Sequence, residues 1–122
     1  MDELIARLVA NCGVERSVAE KSVGIILDFL LKEGPTEKVQ ALLDKMPGAS
    51  ELAAGAAQGG SSSLFGMGGG IMGAANRLMS AGLSMGQVQC VTRDVVAYSR
   101  ENAGEDAVGE IVGAIPGLSP FV

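Results

Sequence analysis

Apolar residues recur along this chain in short stripes of helical period, broken by glycine and proline rather than by polar runs. Leu4, Ile5, Leu8 and Val9 share one face of a 3.6-residue repeat, and Gly13 stops that first helix after a start at Asp2. Ser17-Val18-Ala19-Glu20 has the spacing of a capping box, in which hydroxyl and carboxylate satisfy free backbone N–H groups, and predicts a second helix running to about Glu33. Gly34-Pro35 ends it, glycine taking a left-handed cap and proline being unable to continue the ladder. Val39, Leu42, Leu43 and Met46 then form the stripe of a third helix, Thr36 to Met46, before Pro47-Gly48.

The second half repeats this grammar. Ser50 to Ala57 reads as a short alanine-rich helix, and Ile71, Met72, Ala75, Leu78 and Met79 recover the period up to Gly82. Ser84-Met85-Gly86-Gln87 offers another capping box, followed by Val88, Val91, Val95 and Tyr98 at helical spacing and a turn at Asn102-Ala103-Gly104. Glu105 and Asp106 suit the positive end of a last helix whose stripe is Val108, Ile111, Val112 and Ile115, closed by Pro116-Gly117. Seven helices are predicted and no strand.

An offset of 69 positions lays Gly13, Val39, Pro47, Gly48 and Ser50 on Gly82, Val108, Pro116, Gly117 and Ser119, and apolar positions between them match in kind. The expected fold is therefore all-α, with two related three-helix units packed as one helical bundle in a single domain over 1–122. The first unit spans 1–57, a Gly/Ser-rich linker 58–63, and the second unit 64–122. Val23 to Leu31 is apolar nearly all round, which places the second helix at the centre of the bundle or against another subunit.

Composition narrows the chemistry. With 122 residues, 48% of them apolar but only Phe29, Phe65, Tyr98 and Phe121 aromatic, the core must be built from small aliphatic side chains packed closely. A net charge of −5 without a basic run argues against nucleic-acid binding. The absence of histidine removes the commonest general base and a common metal ligand. No D-x-D-x-D-G loop suggests calcium, and neither metal nor cofactor is expected. Glu101, Glu105, Asp106, Glu110 and Ser61 to Ser63 are the only catalytic candidates; acids early in a helix have a structural explanation, and serines without a base are not nucleophiles. A non-enzymatic protein is expected, without catalytic residues. The acidic, amphipathic start is unlike a secretory leader and no stretch is long enough to span a membrane, so a cytoplasmic address is expected.

Three features could carry a function. Gly66, Gly69, Gly70 and Gly73, together with Gly109 and Gly113, recur four apart; a glycine within a helix costs about 1 kcal/mol against alanine, so these faces are expected to meet another backbone closely, within the chain or across a subunit interface. Phe29, Met72 and Met79 could line a pocket for an apolar, lipid-like molecule, although methionine at helical spacing also serves as core filler. Cys12 and Cys90 read as two small packed thiols, with a disulfide or redox switch as the alternative, and the 69-residue register does not pair them. Gly68 to Gly73 matches G-x-G-x-x-G, with Asp94 downstream, but no strand precedes it and nucleotide binding is rejected.

The strings Val23-Gly24-Ile25-Ile26-Leu27 with Gly34-Pro35, Met46-Pro47-Gly48-Ala49, and Val108-Gly109-Glu110-Ile111-Val112 leading to Ile115-Pro116-Gly117-Leu118 resemble an uncharacterised family of small bacterial helical proteins, the domains of unknown function of the VcgC/VcgE type. The resemblance covers most of the chain and implies a bacterial helical fold, with no catalytic residue to carry over. The leading functional expectation is a protein-interaction or self-association module with a homo-oligomeric or protein partner. The other is a carrier of an apolar small molecule.

Overall fold

The computed structural model describes residues 2–46, 48–59 and 70–115. Among them the chain is helical throughout, with α1 (Asp2–Cys12), α2 (Arg16–Glu33), α3 (Thr36–Asp44), α4 (Ala49–Gly59), α5 (Gly70–Ser80), α6 (Met85–Ala103) and α7 (Glu105–Ala114). The stops work through backbone conformation: Gly13, Gly48, Gly82 and Gly104 all take positive φ, which a side chain would disfavour.

The apolar run of α2 is buried without interruption from Ser22 to Leu30. It is the hub of the bundle, packed against α1, α3, α4, α5 and α6. The remaining helices bury one stripe each: Leu4, Ile5 and Leu8 from α1, Val39, Leu42 and Leu43 from α3, Val88, Val91 and Val95 from α6, and Val108 and Ile111 from α7. The all-helical bundle is thus the expected one. The hydroxyls inside it are satisfied locally: those of Ser22, Thr92 and Ser99 donate to the carbonyls of Val18, Val88 and Val95 one turn back. No buried side-chain nitrogen or oxygen among the described residues lacks a partner.

Helix boundaries correct the expectation in four places. The capping box at Ser84 forms, with Gln87 N–H donating to Ser84 Oγ and Ser84 N–H donating to Gln87 Oε1. The one at Ser17 does not, because α2 already begins at Arg16 and places Ser17 inside the helix. Gly34 is extended, with φ −97°, rather than left-handed. Glycine is needed there for space: a Cβ would lie 2.8 Å from the Leu30 carbonyl oxygen and 3.3 Å from Ile115 Cδ1. α3 ends at Asp44 with Lys45 as its cap, while Met46 remains fully buried beyond it. α4 runs on to Gly59, two residues into the expected linker; the rest of that linker lies outside the described residues.

Candidate functional site

One face of α6 is organised against α1. Gln87, Cys90, Asp94, Tyr98 and Glu101 follow each other at three- and four-residue steps, so they form one stripe along the helix. Each meets α1: Gln87 Nε2 donates to the Cys12 carbonyl at 3.4 Å, Asn11 Nδ2 donates to Asp94 Oδ2 at 3.3 Å, and the Arg7 guanidinium lies 5.5 Å from the Tyr98 ring centroid. Arg7 also grips Glu101 with both terminal nitrogens, at 2.7 and 2.8 Å. That two-pronged bond holds the Glu101 carboxyl below the usual glutamate range and raises the Arg7 guanidinium further above its own.

At the centre of the stripe, Cys12 and Cys90 are joined by a disulfide with Cα atoms 5.7 Å apart, and no free cysteine remains. This corrects the expectation of two separate thiols. The pairing depends on α1 lying along α6, and the 69-residue register compares positions in different copies without saying which helices touch. Asp94, one turn beyond Cys90, brings Oδ2 to 3.8 Å from Cys12 Sγ. The two sulfurs and a carboxylate oxygen lie within 4.8 Å of one another, all on half-buried residues. Chemically this is a disulfide, a dithiol once reduced, flanked by a carboxylate. The α6 stripe was visible as a periodic row of polar residues and could have drawn attention to it.

The glycine face of α7 is organised differently. Gly109 and Gly113 are exposed, and a Cβ at either would meet no described atom within 4 Å. The close intramolecular approach expected for them is not made among the described residues, because α7 turns Val108, Ile111 and Val112 inward instead. Gly66 and Gly69 lie outside the described residues; Gly70 and Gly73 belong to the first turns of α5. Of the supposed apolar pocket, Phe29 is buried in the core, Met79 is 38% exposed, and the Met72 side chain lies outside the described residues. Among the acidic candidates, Glu101 is bound by Arg7 and Glu110 by Lys38, while Glu105 and Asp106 occupy the first turn of α7. Ser61 to Ser63 lie outside the described residues.

Comparison with known proteins gives no match: no family model, no curated protein and no solved structure corresponds to this chain. No helix among the described residues is long and apolar enough to cross a membrane.

Proposed function

We propose that this chain is a non-enzymatic helical interaction module that docks a partner helix on the outer face of α7. The observation carrying this reading is the open space over Gly109 and Gly113, one turn apart on an exposed helix face. Two glycines lower the stability of α7 by about 2 kcal/mol relative to alanine, and no described contact within the chain offsets that cost. A partner backbone lying close along the face would.

Charge selects the kind of partner. Glu105, Asp106 and Glu110 border the glycines, and among the described residues Glu110 is the one with a cation beside it, from Lys38. A second copy presenting the same face would set carboxylates against carboxylates, whereas a helix bearing Lys or Arg would be complementary. The apolar-carrier reading has no comparable support, since Phe29 serves the core and Met79 the surface. The non-enzymatic reading rests on the absence of histidine and on the structural engagement of the acids. A cytoplasmic address and the Cys12–Cys90 disulfide pull in opposite directions, because a cytosol keeps thiols reduced. In that compartment the pair would spend its time open. The kinship suggested by the helix stops is consistent with a bacterial origin and adds no activity.

The test is crosslinking of the full chain in a lysate of its source, with crosslinked sites mapped by mass spectrometry, against the double variant Gly109→Leu/Gly113→Leu. Crosslinks from α7 to a basic helix, lost in the variant, support the proposal. Crosslinks elsewhere, unchanged by the leucines, overturn it, and a dimer dissolved by the leucines replaces the foreign partner with a second copy.

A further inference from the structure

The sulfur site at the α1 and α6 contact has the makings of a metal centre, independent of the α7 face. Cys90 and Asp94 stand at i and i+4, so both project from one side of α6, and Cys12 reaches the same point from the last position of α1. We propose that the reduced chain binds a divalent cation of the zinc class through Cys12 Sγ, Cys90 Sγ and the Asp94 carboxylate, and that the disulfide is the oxidised, metal-free state of the same site.

Geometry favours this set. Zinc takes thiolate sulfur at about 2.3 Å, and a tetrahedral angle then separates two sulfurs by about 3.8 Å. Cysteine side chains on Cα atoms 5.7 Å apart reach that separation by rotating, with both helices left in place. The three ligand atoms already lie within 4.8 Å of one another, and a fourth position remains for water. Asn11 supplies outer support of the kind metal sites use by donating to the Asp94 carboxylate, and Gln87 ties the Cys12 backbone to α6. Thiolates discriminate against magnesium and calcium, while the carboxylate suits a borderline ion better than monovalent copper. The acidic chain, at −5, adds a favourable field for a cation.

The two states interconvert in balanced steps. Zinc loading expels the two thiol protons. A peroxide then converts the loaded site: the thiolates surrender one electron pair as the S–S bond forms, the O–O bond breaks, two solvent protons complete two hydroxyl products, and the cation leaves. Return requires a dithiol, which becomes a disulfide itself as its two hydrogens pass to Cys12 and Cys90.

The test uses the full chain reduced with a phosphine under anaerobic conditions and titrated with cobalt(II), then zinc. One cobalt per chain is expected, with thiolate charge-transfer absorption and the visible bands of tetrahedral coordination. Asp94→Asn should retain the helical circular dichroism and weaken cobalt binding about tenfold or more. Cys12→Ser/Cys90→Ser should abolish the charge-transfer bands. Zinc should raise the melting temperature of the reduced wild type but not of Asp94→Asn, and peroxide should release it to a chromogenic chelator. The proposal is overturned if the reduced wild type binds cobalt no better than the double serine variant, if Asp94→Asn binds equally well, or if reduction abolishes helicity that metal does not restore.

Discussion

Asp28 lies in the most apolar stretch of α2, its side chain only 4% exposed, and its carboxylate accepts a hydrogen bond from Arg77 Nη1 of α5 at 3.0 Å. A charge at the hub of the bundle is thereby tied to the helix that opens the second half. The two ends differ in exposure, since the Arg77 side chain retains 26%. Arg77→Met withdraws this partner from a buried carboxylate and should cost about 1–3 kcal/mol. Asp28→Leu removes the buried charge itself, so it should cost less. Urea unfolding of both variants measures the order; equal losses would sink the asymmetry.

Glycines in this chain should respond to alanine with opposite signs. At Gly34 a Cβ meets the Leu30 carbonyl at 2.8 Å, so Gly34→Ala should destabilise by about 1–3 kcal/mol. At Gly109 and Gly113 a Cβ meets nothing described, and each alanine should stabilise by about 0.5–1 kcal/mol through helix propensity. Melting temperatures falling in all three variants would contradict the open face of α7.

Cys12 and Cys90 are 78 residues apart, so their bond constrains much of the unfolded chain. Cys12→Ser/Cys90→Ser should lower stability by about 2–4 kcal/mol and leave the helical content of the folded protein intact. Calorimetry of the oxidised wild type and the double variant checks this, and an unchanged melting temperature would rule out a stabilising clasp.

Acid should loosen α1 from α6 through Glu101. Its carboxyl is held below the usual glutamate range by the Arg7 hydrogen bonds, so the folded state binds this proton less readily than the unfolded one. The stabilisation is complete above the pKa of an unfolded glutamate and disappears as pH falls through the lower folded value. Carboxyl chemical shifts followed by NMR should show Glu101 titrating at lower pH than a solvated glutamate, and returning toward normal in Arg7→Met. Normal titration in the wild type would exclude the coupling.

Much of the architecture is legible in local pattern because its signals are local. Gly13, Gly82 and Gly104 stop helices by adopting backbone angles that other residues avoid, and the apolarity of Val23 to Leu31, broken only by Asp28, marks the central helix. Gly34 misleads because glycine serves close approach as well as positive φ, and composition cannot separate the two uses. The sulfur site is less legible for a different reason. Cys12, Asn11 and Arg7 meet the stripe from Gln87 to Glu101 only when α1 lies along α6, a relation set by packing of distant segments. Reciprocal contacts, α1 with α6 and α5 with α2, are compatible with two equivalent units, whose common origin is a proposal resting on the 69-residue offset.

The bond between Cys12 and Cys90 makes a covalent ring of the intervening chain, with α2 to α5 inside it and α7 on the tail beyond. One protease cut within the ring would yield two fragments that remain a single molecule until the sulfur link is reduced. A cut at the Gly104 turn would instead leave α7 held by non-covalent packing, chiefly on α3 and α6. In the oxidised molecule a single cut through the hub therefore leaves its fragments covalently joined, whereas a cut at the Gly104 turn severs α7 from every covalent tie to the hub.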